Sequence, residues 1–191
     1  MPDYNQKDIQ EVFASYNRLR AAIHANPRFG FDFDWDTFCK VLSMLSIRAR
    51  GSRLQNRITE QNQYQSIPAN LNRGDIKTLD GKYVELKCSI VTAANDVATI
   101  RGIRPWQKLD AHLIVIIDFR NEDKPETYCF WLNKTEIEEE CRTLKAGAVS
   151  GTKVANRANT NILLGFNLNV DKEDAHFKRW LKRYLRKNIL L

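Results

Sequence analysis

Ile9, Val12, Phe13, Tyr16, Leu19 and Ile23 recur at steps of three and four, a spacing that lines up apolar side chains along one face of an α-helix. Pro27 and Gly30 end that helix. A second helix is predicted after Asp34 as N-cap, with Trp35, Phe38, Leu42 and Leu45 on its buried stripe. Residues 48–63 are polar, with Leu54 and Ile58 as apolar anchors. From Gly74 the period shortens to two. Val84, Leu86, Cys88 and Ile90 alternate with Glu85, Lys87 and Ser89, which predicts a strand with one apolar and one polar face. Further strands are predicted over 97–103, 127–132 and 162–170, and the unbroken apolar run 113–117 reads as a buried central strand. Residues 134–145 read as helix, and so does the C-terminal segment, where Phe177, Trp180, Leu181, Tyr184 and Leu185 share a face. This order predicts a single α/β domain over 1–191, with a mixed central sheet flanked by helices. Its parts would be a mainly helical stretch (1–63), a sheet core (74–132) and a loop, strand and basic helix (147–191).

Composition narrows the class. The chain has 191 residues, 43% of them hydrophobic, which excludes a disordered chain; eight Gly and five Pro exclude collagen-like material. No apolar run approaches the roughly 18 residues a membrane span needs, and the start lacks the apolar segment of a secretory signal. A soluble, cytoplasmic protein with no membrane role is expected. Cys39, Cys88, Cys129 and Cys141 are too far apart for a Cys-x-x-Cys pair and read as reduced, mostly buried side chains. His24, His112 and His176 stand singly and read as structural. The excess of 30 Lys+Arg over 23 Asp+Glu, a net charge of +7, points toward a polyanionic partner.

The chemistry concentrates in residues 74–88. Asp80-Gly81 between two β-patterned runs signals a hairpin. A two-residue loop there would pair Ile76 with Glu85 and put an apolar residue on the polar face. A three-residue loop, Leu79-Asp80-Gly81 with Gly81 left-handed, pairs Ile76 with Val84 and Asp75 with Glu85. This register keeps the faces consistent, and it brings Asp75, Glu85 and Lys87 together. Two carboxylates suit a hard cation such as Mg²⁺, and a lysine beside them suits an attacking water. From the residues alone, an ordinary Glu–Lys pair on a surface strand is the other reading.

Gly74-Asp75, a ten-residue step and then Val84-Glu85-Leu86-Lys87 resemble the core of the PD-(D/E)XK nuclease superfamily, which includes many type II restriction endonucleases. The resemblance covers roughly residues 48–118. It implies an α/β restriction-endonuclease-like core, Mg²⁺ as cofactor without an organic one, and hydrolysis of phosphodiester bonds in double-stranded DNA. By position, Asp75 and Glu85 would bind the metal and Lys87 would serve the water. Gly74 stands where the family's name-giving proline sits. The accessory helix carboxylate of the family matches Gln55 here, with Glu60 as a substitute further along.

DNA binding would draw on several segments. Arg48, Arg50, Arg53 and Arg57 suit phosphate contacts along a helix, or a solvated face, and Lys77 lies on the hairpin. Arg101, Arg104, Gln107 and Lys108 carry groups that read base edges, with Trp106 beside Pro105 as a core anchor. Lys153, Asn156, Arg157 and Asn159 belong to a polar loop suited to ordering on DNA. The basic face of the last helix either lines a DNA cleft or is solvated, and the acidic run 136–140 faces away from DNA. Two-fold symmetry of a duplex target implies a homodimer. A Holliday-junction resolvase or repair nuclease of the same superfamily, and a non-catalytic nucleic-acid-binding protein, are the competing expectations.

Overall fold

The computed structural model describes residues 5–68, 73–150 and 163–189, which divide between a unit of residues 1–53 and one of residues 54–191. In the first unit, α1 (Gln6–Ala25) opens with a capping box: the Asn5 side chain accepts from the Lys7 and Asp8 amides at 2.9 and 3.0 Å, and Asp8 accepts from the Asn5 amide. The second helix, α2 (Trp35–Ser43), starts at Asp34 as expected, and it buries Phe38, Cys39, Val41 and Leu42. The apolar stripe of α1 behaves differently. Of its six members only Ile23 is buried; Ile9, Val12, Phe13, Tyr16 and Leu19 are exposed. Helical spacing specifies that a face exists, whereas a partner surface decides whether it is covered.

A third helix, α3 (Ile47–Gln61), begins in this unit and continues into the next. Two of its arginines close the preceding helices. Arg50 donates to the Leu42 and Leu45 carbonyls at 3.2 and 3.3 Å. Arg53, 6% exposed, donates to the carbonyls of Ile23, Asn26 and Phe29 at 2.6, 2.9 and 2.9 Å. Carbonyls at a helix end lack partners within the helix, and a guanidinium supplies several donors at once.

The second unit runs β1 (Gln65–Ser66), β2 (Ile76–Lys77), β3 (Tyr83–Thr92), β4 (Val97–Ile103), β5 (Ala111–Phe119), β6 (Glu126–Asn133), α4 (Lys134–Thr143), β7 (Gly147–Ser150), β8 (Leu163–Asn169) and α5 (Ala175–Arg183). Five strands form a mixed sheet in the order β1-β2-β3-β5-β6, with β3 and β5 parallel and the other pairs antiparallel. All nine residues of β5 are buried, as its unbroken apolar run predicts. Parallel neighbours need a crossover, and here it passes through β4, which belongs to a second, antiparallel sheet ordered β4-β8-β7. Ile100, Phe130, Phe166, Phe177 and Trp180 share the core these elements enclose, with the Phe130 and Trp180 rings edge-to-face at 5.2 Å.

Crossover through β4 changes the character of β3. Its polar side chains are covered: Glu85 is 3% exposed, and Ser89 accepts from the Thr99 amide at 3.0 Å. Trp106, expected as a core anchor, is 37% exposed. Among the described residues no helix is long and apolar enough to cross a membrane.

Candidate active site

The hairpin closes in the three-residue register. Ile76 pairs with Val84 and Lys77 with Tyr83, while the Thr78 amide donates to the Lys82 carbonyl at 2.9 Å. Gly81 takes φ +84°, the left-handed turn conformation that glycine adopts without a Cβ penalty. One step before the strand, the Asp75 amide donates to the Val84 carbonyl at 2.8 Å, and the Asp75 carboxylate accepts from the Leu86 amide at 2.8 Å. These two bonds hold the Asp75 carboxylate against the stretch of β3 that carries Glu85 and Lys87.

Glu85 is the hub. Lys87 Nζ donates to its Oε1 at 2.5 Å, and Gln107 Nε2 donates to its Oε2 at 2.9 Å. Arg104 Nη1 lies 3.7 Å from Oε1. Burial alone would push the Glu85 carboxyl up, but the Lys87 charge and hydrogen bond, the Gln107 amide and Arg104 outweigh it and hold Glu85 below its ordinary range. Asp75 goes the other way. Burial and the neighbouring Glu85 charge raise its carboxyl, partly offset by the Leu86 amide, Lys87 and Arg104.

Gln55 reaches this cluster through the main chain: its amide donates to the Asp75 carbonyl at 2.9 Å and to Ser66 Oγ at 3.2 Å. Glu60 is exposed on α3. Five residues on from Gln55, it sits roughly 140° around the helix and faces elsewhere.

The remaining expected residues fall into separate groups. Arg53 and Arg57 are buried, and Arg50 is engaged with carbonyls, so only Arg48 of the four is exposed. Lys77 lies over the Tyr83 ring at 5.6 Å. Arg101 and Lys108 are exposed. Gln107, expected at base edges, is 2% exposed and occupied with Glu85. Lys153, Asn156, Arg157 and Asn159 lie outside the described residues. The last helix is no uniformly free basic face: Lys178 pairs with Glu173 at 2.7 Å, and Arg179 pairs with Glu140, a member of the acidic run that is fully buried.

Two participants were not evident from residue spacing. His112 stands opposite Glu85 in the β3–β5 register and is 2% exposed; burial first, and then Lys87, push its imidazole down to about 4, against a smaller opposing effect of Glu85. Gly102, at a bulge in β4 with φ +77°, lies so close that a Cβ there would sit 3.6 Å from Lys87 Nζ. Neither has a local signal, because both positions depend on strands pairing across long separations.

Among the described residues no group of three or more His, Cys, Asp or Glu gathers as a metal cluster. The hard-oxygen donors at this site are the Asp75 and Glu85 carboxylates, a number and type that fit Mg²⁺, which takes one or two protein carboxylates and keeps water for the rest. No protein-family model matches the chain, and no curated protein matches it.

Proposed function

We propose that this chain is a Mg²⁺-dependent type II restriction endonuclease that hydrolyses phosphodiester bonds of double-stranded DNA at a short specific sequence, acting as a homodimer. The observation that supports this reading is the gathering of Asp75, Glu85 and Lys87 on one stretch of hairpin, with Glu85 buried and bonded to Lys87 and Gln107. Asp75 and Glu85 would hold the ion, which when bound supplies charge stabilisation at the phosphate and acidifies a water. Lys87 presents an ammonium beside them that would orient the attacking water. Gln107 fixes the second oxygen of Glu85, and Gln55 fixes the main chain at Asp75. The exposed Arg48, Arg101 and Lys108 are available to phosphates. One such site cuts one strand, so a palindromic duplex calls for two copies.

The test is digestion of plasmid and phage DNA with Mg²⁺. Discrete fragments are expected. The Lys87→Ala variant, checked for folding by circular dichroism, should cut about 10²–10⁴-fold more slowly while still shifting duplex DNA on a gel in Ca²⁺. Preferential cutting of a four-way junction would replace this reading by a resolvase. Wild-type cutting by Lys87→Ala, or inertness on every duplex, would overturn it.

A further inference from the structure

Beside the Asp75–Glu85–Lys87 cluster lies a cavity of about 480 Å³, within the roughly 300–1,000 Å³ span of small-ligand sites. Its walls are apolar, from Ile103, Leu109, Ile137 and Leu164. Its rim is cationic: Arg104, Lys134, Arg142 and Lys145, against the single carboxylate of Glu138. Between walls and rim the cavity is lined by two buried polar side chains, Gln107 and His112, each 2% exposed.

These two carry unmet hydrogen-bonding capacity. Gln107 Oε1 and both ring nitrogens of His112 are buried without a hydrogen-bond partner among the described residues. Such groups cost free energy unless something pairs with them, and three in one cavity call for an explanation. Their polarity is determined. Gln107 Nε2 donates to Glu85 Oε2 at 2.9 Å, which leaves the Gln107 amide oxygen as a free acceptor. A neutral imidazole adds one donor and one acceptor. Together they offer one donor and two acceptors.

We infer that this cavity binds a single nucleotide, with the base between the apolar walls against Gln107 and His112 and the phosphate on the cationic rim. The inference rests on the phosphodiesterase reading for choosing a nucleotide over other anionic heterocycles. Guanine matches the inventory best. Its pairing edge offers two donors and one acceptor, whereas the edges of cytosine and thymine offer two acceptors each and would leave one without a donor. Gln107 belongs to both places, since one end of its amide holds Glu85 and the other serves the cavity. An occupied cavity would therefore be felt at the catalytic carboxylate.

The ligand chemistry has two possible sources, a free mononucleotide or a nucleotide turned out of bound duplex. Titration calorimetry of the full chain with dGMP, dAMP, dCMP and dTMP at concentrations up to about millimolar, without metal, tests the site itself. Binding of dGMP at least tenfold tighter than of dCMP is expected. The Arg142→Glu, Lys145→Glu double variant, which changes only exposed rim positions, should lose tenfold or more of the dGMP affinity. His112→Phe should erase the preference for dGMP. Competition in Ca²⁺ then separates the sources: dGMP that displaces a linearised plasmid marks a turned-out base, and dGMP that binds alongside it marks a free effector. Failure of all four nucleotides to bind, or unchanged dGMP binding in the rim variant, overturns the inference. A chain that cuts DNA yet binds no nucleotide refutes the cavity assignment alone. One that binds dGMP but neither binds nor cuts duplex refutes the nuclease reading and leaves the cavity assignment standing.

Discussion

Gly74 has φ +87°, and a Cβ built there would lie 2.6 Å from the Val84 carbonyl oxygen. Both facts bar a side chain, and the first also bars proline, whose ring holds φ near −65°. The motif that residues 74–87 resemble carries proline at this place, and the backbone here does not admit one. The close approach exists because the Asp75 amide, next along, bonds to that same Val84 carbonyl. Gly74→Ala should therefore cost about 2 kcal/mol or more, the left-handed strain alone being about 1–2 kcal/mol. Urea unfolding measures this, and the proposed cleavage should fall with it, since Asp75 moves with the turn. Wild-type stability in the variant would show that the strand edge relaxes around residue 74. Gln107 is likewise decided by its surroundings. A glutamine beside basic residues reads as a base contact, yet burial and a bond to Glu85 make it part of the site's scaffold.

Among the elements, α4 and α5 are tied by one carboxylate. Glu140 is fully buried and accepts from Trp180 Nε1 at 3.0 Å, from Tyr184 Oη at 2.8 Å and from Arg179. Glu140→Ala would strand two buried donors and a cation, at a cost of about 3–5 kcal/mol. Glu140→Gln keeps one acceptor and should cost less. Equal unfolding midpoints for wild type and Glu140→Ala would show that the aromatic packing of Phe130 and Trp180 suffices to hold α5. Glu140 belongs to the acidic run expected to face away from DNA, and it faces the core. The helical period places Glu140 three residues after Ile137, on the same buried face, and charge alone conceals this.

For the whole molecule, acid sensitivity follows from His112. Its folded value of about 4 lies below the ordinary 6.5, so the unfolded chain takes up a proton that the folded chain refuses. The corresponding stability is fully present above about pH 6.5 and is lost as pH falls toward 4, at up to about 1.4 kcal/mol per pH unit. Glu85, lowered, adds a loss below the ordinary glutamate range. Asp75, raised, works in the opposite sense just above the ordinary aspartate range, where the folded state binds the proton more readily. Urea midpoints measured in EDTA between pH 7 and pH 5 should fall for wild type and stay nearly level for His112→Leu. Parallel slopes for the two proteins would remove His112 as the cause.

Much of this architecture was legible in one dimension. Period-two runs located β3 and β8, strands were also expected where β4 and β6 lie, an unbroken apolar run located β5, and Asp34 announced α2. Face consistency chose the hairpin register, and with it the meeting of Asp75 and Glu85. Each of these rests on interactions between residues a few positions apart, where spacing and side-chain type suffice. Tertiary structure decided the rest: that Glu85 on β3 is buried where Gln107 and Arg104 meet it, that Arg50 and Arg53 turn inward to main-chain carbonyls, that the α1 stripe stays exposed apart from Ile23, and that Gln107 and His112 join the site. Those outcomes depend on which distant surfaces come to lie against one another. Burial, and with it the charge state of every group at the site, is a property of such contacts rather than of any local pattern.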